Sequence, residues 1–176
     1  TFTDGIQNVY NKVKGSCSML ILTDHGIIAA RDFLGRTPIV VGKNKFGYAV
    51  AFDSHSFANL DYEIERFIGP GEVVRVSSFG CQQMLAPNEK MQICSFLWTY
   101  YGYPSADYEN INVETSRYIG GYEMGKNDDI EADFVSAIPD SGIGMALGYA
   151  TGKGIAYQRG IVKYTPTWSR SFTPAS

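Results

Sequence analysis

A chain of 176 residues with 44% hydrophobic and 19% charged residues has the make-up of a soluble globular protein and can bury a real core. Its net charge of −3 gives no electrostatic footing for nucleic acid or an anionic membrane, and no apolar run approaches the ~20 residues of a membrane span. The N-terminal TFTDGIQNVYNKVKG lacks the apolar region of a signal peptide. Three widely spaced cysteines, Cys17, Cys81 and Cys94, form no disulfide framework, so a reducing cytoplasm is the expected compartment.

In chain order, Asp4 to Lys14 reads as a short helix, with Asp4 as cap and Ile6, Val9, Tyr10 and Val13 on one face, ended by Gly15. Ser18 to Thr23 reads as a buried strand. The stretch HGIIAARDFLGRTPIVVGK then predicts two strands, Gly26–Ala30 and Pro38–Val41, joined as a hairpin by a polar turn. Only 24 residues precede it, and an isolated hairpin is marginal in water, so part of its sheet is expected in a longer parent protein. Tyr48–Phe52 is a further strand, Ser54–Asn59 a short helix or turn, and Glu65–Ile68 and Val73–Val76 are strands flanking Pro70-Gly71-Glu72. Together these suggest a meandering antiparallel sheet. Gln82–Met91, poor in core residues, reads as a linker.

Beyond it, Cys94–Tyr101 is a strand or aromatic segment, Tyr103–Asp107 a turn, and Asn112–Met124 a helix capped by Asn112 and weakened by Gly120 and Gly121. Asp133–Ile138, Ile143–Thr151 and Ala156–Val162 read as strand, helix and strand. This is a βαβ unit, which implies a parallel sheet that the Thr/Ser/Pro-rich Lys163–Ser176 does not complete.

Several residues invite a chemical reading. An N-terminal threonine such as Thr1 can be a nucleophile with its own amine as base, although TFTD offers no strand or glycine context for it. Arg31 and Asp32 look catalytic, being charged and following a strand; a salt-bridged or turn-capping pair is the favoured reading, with Asp32 accepting from the following amides. His25 and His55 have no metal-ligand spacing. Cys17 and Cys81 read as small packing residues. Pro139-Asp140-Ser141-Gly142 opens a helix after a parallel strand, where free amides can meet an anion; a plain Asp/Ser helix cap is the alternative.

AARDFLGRTPIVVGK, VAFDSHSFANL and GPGEVVRV resemble the latter half of the glutaminase domain of glutamine phosphoribosylpyrophosphate amidotransferases. The similarity continues through CSFLWTYYGYPSADYENINVETSR and ADFVSAIPDSGIGMALGYATGKGIAYQRGIVK to RSFTPAS. The resemblance implies an α+β part followed by an α/β part. Residues 1–81 would be the end of a class II amidotransferase domain (Ntn-hydrolase type, layered antiparallel sheets with helices), 82–91 a linker, and 92–176 the first βαβ part of a type I phosphoribosyltransferase domain.

It also implies the family's chemistry. An upstream cysteine releases ammonia from glutamine, and the ammonia displaces pyrophosphate from phosphoribosylpyrophosphate, with Mg²⁺ on the leaving group. No catalytic residue of that glutaminase is expected in this chain, which alone should be inactive. Asp140, Ser141 and Lys163 are the residues carried over for phosphoribosylpyrophosphate or nucleotide binding. Cys94 falls where one ligand of a 4Fe–4S cluster sits in some members, and the same cysteine also occurs without a cluster. Purine nucleotides as inhibitors and a homo-oligomer are further implied; nucleic acid and membrane are not. Gly142 stands where the family has a serine, Tyr164-Thr165 where it has Asn-Arg, and Trp168 is unusual. A non-catalytic regulatory or nucleotide-binding paralogue, or another class II amidotransferase, are the alternative expectations.

Overall fold

Three hairpins built on one local pattern shape the first half of the chain. In the computed structural model, which describes residues 1–164 and 166, the elements run α1 (Phe2–Lys12), β1 (Met19–Thr23), β2 (Gly26–Ala30), β3 (Val40–Asn44), β4 (Gly47–Ala51), α2 (His55–Asn59), β5 (Glu63–Phe67), β6 (Val73–Ser77) and β7 (Gly80–Leu85). The pairs β1–β2, β3–β4 and β6–β7 each turn through two residues. In each, the last residue of the first strand accepts a hydrogen bond from the amide two positions on: His25 to Thr23 (3.2 Å), Phe46 to Asn44 (2.8 Å) and Phe79 to Ser77 (3.2 Å). A glycine then closes the turn at a φ open only to that residue type: 116° at Gly26, 147° at Gly47 and 124° at Gly80.

The strands form two antiparallel sheets, ordered β1-β2-β6-β7 and β4-β3-β5. Ala29, Val74 and Val76 of the first sheet pack on Ile39, Val41 and Ile68 of the second. On the far face of the first sheet, Ile6 of α1 covers Ile28, Ala30 and Val73. On the far face of the second, Phe57 of α2 lies on Gly42, where a Cβ would come within 2.8–3.0 Å of the ring. The layers therefore run helix, sheet, sheet, helix.

This corrects five expectations. The strands after Gly26 and Pro38 do not form a hairpin: β2 is already paired on both sides, by β1 and β6, and β3 lies in the other sheet. Residues 31–39 are a crossover between sheets, as are 68–72, so the strands do not form one meander. β1 is an edge strand of alternating burial, with Leu22 83% exposed, not a buried one. The first four residues of the expected linker, 82–85, belong to β7 and pair with β6, since Met84 and Leu85 pack against the core under α1. The first helix also starts earlier, with Thr1 rather than Asp4 as its cap; the Thr1 hydroxyl accepts from the Asp4 amide at 3.3 Å and the Asp4 carboxylate reaches back.

Residues 97–101 form one π-helical turn where a strand was one expectation. An unforeseen hairpin follows, β8 (Asp107–Tyr108) and β9 (Ile111–Asn112), with Ala106, Tyr108 and Val113 in a small core beside Leu97 and Trp98. Two compact units result, residues 1–113 and 114–176.

The second unit holds α3 (Val113–Asn127, all but its first residue), β10 (Phe134–Val135), α4 (Ile143–Lys153) and β11 (Ala156–Tyr157). β10 and β11 pair in parallel, as the βαβ reading expects, over fewer residues than expected. The glycines of the two helices have a purpose the sequence did not show: a Cβ on Gly121 would lie 1.9 Å from the Met145 carbonyl oxygen, and one on Gly148 would lie 1.9 Å from that of Tyr118. Backbone meets backbone there. The Tyr149 hydroxyl donates to the Asp128 carboxylate and the Lys153 ammonium to the Asp128 carbonyl, fastening the turn after α3 to α4. Thr165, Trp168 and the RSFTPAS tail lie outside the described residues.

Candidate functional site

Arg31 and Asp32 stand where the two crossovers run side by side. The guanidinium is 0% exposed. One terminal nitrogen donates to the Ile68 carbonyl (2.5 Å) and the Glu109 carboxylate (2.6 Å), and the other to the Gly35 carbonyl (2.6 Å). The Arg31 amide donates to the Glu72 carbonyl at 3.1 Å, and the Tyr10 hydroxyl to the Arg31 carbonyl at 2.6 Å. Gly35 is demanded twice: its φ is +67°, and a Cβ would sit 3.2 Å from Arg31 Nε and 3.0 Å from Pro70. Asp32 accepts from the Thr37 amide (2.9 Å) and the Leu34 amide (3.3 Å), while its carbonyl takes the Gly35 and Gly71 amides, each at 2.8 Å. Arg31 thus pairs with Glu109 rather than with Asp32, and Asp32 caps the turn that follows it, in a crossover rather than a hairpin.

The second crossover carries its own buried acid. Glu72, 0% exposed, accepts from Arg66 (2.5 Å), the Gly69 amide (2.7 Å) and Gln83 (2.9 Å). Burial by itself would raise this carboxyl. The hydrogen bonds from Gln83, Gly69 and Arg66, with the Arg66 charge, hold it below the ordinary glutamate value. A folded-state pKa below the unfolded one means that the carboxylate stabilises the fold above about pH 4.3 and loses that contribution as pH falls. Unfolding midpoints measured from pH 6 down to 3 should therefore drop less steeply in Glu72→Gln than in the parent chain; equal slopes would remove Glu72 from the acid response.

The 139–142 loop lies beyond the carboxyl end of β10 and opens α4, whose N-cap, Gly142, makes no side-chain cap bond. Lys163, six residues past β11, reaches the same place: its ammonium is 3.3 Å from Asp140 Oδ2, with both side chains exposed. The parallel pairing thus brings two of the three residues predicted for ligand binding into contact across 23 positions of sequence. Ser141 stands between Asp140 and the helix, exposed. Glu114, which the sequence did not single out, packs its carboxylate over Gly144 in the first turn of α4, where a Cβ would meet both oxygens at 2.7 Å. Only its place on α3 reveals it.

The remaining candidates are dispersed. Cys94 is an exposed free thiol, and Cys17 and Cys81 are free and half-buried. Among the described residues no three His, Cys, Asp or Glu side chains gather as a metal site, so those residues do not fit a four-thiolate cluster. His25 sits at a hairpin tip. His55 pairs through Nδ1 with Asp53 at 2.7 Å and stacks on Tyr103, ring centroids 5.1 Å apart. Among the described residues no helix is long and apolar enough to cross a membrane.

No protein-family model matches the sequence. Individual relatives do. The amidophosphoribosyltransferase of Archaeoglobus fulgidus is 32% identical over 161 residues, which cover 91% of this chain and 35% of that protein. The chloroplastic amidophosphoribosyltransferase of Vigna aconitifolia is 36% identical over 154 residues, 86% of this chain and 31% of its own length. Among solved structures, the glutamine phosphoribosylpyrophosphate amidotransferase of Bacillus subtilis complexed with ADP and GMP superposes with a TM-score of 0.88 at 30% identity, covering 100% of this chain and 39% of that one. In sequence and in fold alike the chain belongs to the amidophosphoribosyltransferase family, spanning about a third of the length of the relatives it matches.

Proposed function

We propose that this chain is the central part of an amidophosphoribosyltransferase of purine biosynthesis. The helix–sheet–sheet–helix layers of residues 1–81 serve as the latter part of its Ntn-type glutaminase, and the βαβ unit as the start of its type I phosphoribosyltransferase. The reach of β7 to Leu85 and the clustering of residues 92–113 with the first unit support a passage between the two functions nearer Val113 than the 82–91 segment. In the parent, ammonia from glutamine attacks C1 of phosphoribosylpyrophosphate. The C1–N bond forms, the C1–O bond to pyrophosphate breaks, and phosphoribosylamine and pyrophosphate leave. Mg²⁺ enters with the pyrophosphate as part of the substrate.

The observation that carries this reading is the meeting of Asp140 and Lys163 beyond the carboxyl ends of two parallel strands, the edge at which such sheets take ligands. Lys163 binds the diphosphate, and Ser141 with the loop amides completes its contacts. The solved relative held ADP and GMP, and purine nucleotides would reach the same edge through their phosphates. Calorimetric titration of the 176-residue chain with magnesium pyrophosphate should show binding that weakens about ten-fold in Lys163→Met, the scale of a charged hydrogen bond. Absence of heat up to millimolar ligand, or an unchanged affinity in the variant, would overturn the assignment.

A further inference from the structure

We propose that the cavity between the tips of the β1–β2 and β6–β7 hairpins binds a singly charged carboxylate with a flat apolar body, through Arg75. The cavity lies in the first unit and is independent of the 139–142 loop. Its two tips stand side by side because β2 pairs with β6. A Cβ on Gly26 would come 2.3 Å from the Val76 carbonyl oxygen and 3.2 Å from the Ser77 Cβ. The space beside them is open, about 690 Å³, and its lining includes Asp24, His25, Arg75, Ser77, Phe79 and Gln82.

Arg75 lacks a counter-charge. β6 sets it between Ile28 and Gln82, on the sheet face where Ile28 is buried under α1. The side chain is half-buried, and its buried Nε has no hydrogen-bond partner among the described residues. Its one hydrogen bond runs from Nη1 to the Gln82 side-chain oxygen at 3.5 Å, beyond the usual range. Arg31 and Arg66 each hold a carboxylate, of Glu109 and Glu72; Arg75 holds none among the described residues. Burial pushes the Cys81 thiol on the same lining up, so it stays neutral and supplies no charge either. A partly desolvated cation without an anion is costly, and an anion entering the cavity offsets that cost. The rest of the lining sets the ligand's class. With Nε sealed, the two terminal nitrogens form the end of a planar fork that takes both oxygens of a carboxylate. Asp24 adds one negative charge to the lining, so a phosphate dianion or pyrophosphate meets more repulsion than a single carboxylate does. His25 and Phe79 each precede the closing glycine of a tip, and Phe79 is 99% exposed. Their rings offer apolar faces to a flat body.

The test is proton–nitrogen correlation NMR of the full chain titrated separately with benzoate, acetate and inorganic phosphate. The Arg75 Nε proton, being buried, exchanges slowly and reports directly. Benzoate should shift that signal and the Gly26 and Gly80 amides together and saturate in the millimolar range, with acetate and phosphate weaker. Arg75→Met should weaken benzoate about ten-fold, the scale of a charged hydrogen bond. Arg75→Lys should fall between, since it keeps the charge and loses the fork. Asp24→Asn should strengthen phosphate more than benzoate. Circular dichroism confirms the fold of each variant, and if Arg75→Met does not fold, Arg75→Lys decides. Shifts that never saturate, saturation without the Arg75 signal, or an affinity that the Arg75 variants leave unchanged would overturn the site and make Arg75 a solvated residue of the sheet face. Pyrophosphate binding at Lys163 is read in a separate titration, so either site can fail without the other.

Discussion

Arg31→Met is expected to cost the residue 1–113 unit about 3 kcal/mol, the lower end for breaking a buried ion pair from one side, because Glu109 is 27% exposed. The change strands the Glu109 carboxylate and the Ile68 and Gly35 carbonyls, all now served by one guanidinium. At this chain length the thermal midpoint should fall by roughly 10 °C, with faster hydrogen exchange at the β2 and β6 amides on either side of the crossover. Arg31→Lys should recover little, since a single ammonium cannot reproduce the planar fork. A midpoint within 2 °C of the parent would show that the crossovers hold without the arginine, and Arg31 would stand again as a catalytic candidate.

Gly148→Ala should destabilise the second unit by about 2–3 kcal/mol, the cost of forcing an extra methyl into a closed contact, because its Cβ would lie 1.9 Å from the Tyr118 carbonyl oxygen. Helix propensity alone predicts the opposite sign, a gain of about 1 kcal/mol for alanine over glycine. Gly120→Ala is the internal control: the nearest atom to its Cβ is the Met145 methyl at 4.0 Å, so there the propensity gain should appear. Urea unfolding followed by exchange of the α3 and α4 amides separates the two variants, and stabilisation by Gly148→Ala would mean the helices do not meet through backbone.

Those two glycine positions show where sequence reading stopped. Gly121 and Gly148 look alike as helix weakeners on propensity, and only the crossing of α3 and α4 turns them into contact points. The β8–β9 hairpin was invisible for a related reason. Its turn places Glu109 and Asn110 at φ of 52° and 63°, in the left-handed region, with no glycine to announce it. By contrast, Thr-Asp-His-Gly, Asn-Lys-Phe-Gly and Ser-Ser-Phe-Gly carry a local signal that the reading of the sequence passed over, a side-chain acceptor and a permissive glycine within four residues. The candidate site divides the same way. Asp140 and Lys163 were found through the resemblance, whereas Glu114 had no local signal, being an ordinary acid in the first turn of a helix.

The sequence by itself determined most of the helices and the longer strands, the parallel βαβ unit, the turn-capping role of Asp32 toward its own following amides, and the family. All of these are written in short-range patterns of hydrophobicity, turn chemistry and motif. Which sheet each strand joins was decided only by tertiary structure. β2 and β3 carry similar small and branched apolar residues, and each buries both faces, so periodicity cannot say whether they pair edge to edge or stack face to face. Stacking wins because β2 has both edges filled by β1 and β6, and Arg31, drawn into the resulting crossover, became a buried clamp rather than a turn residue.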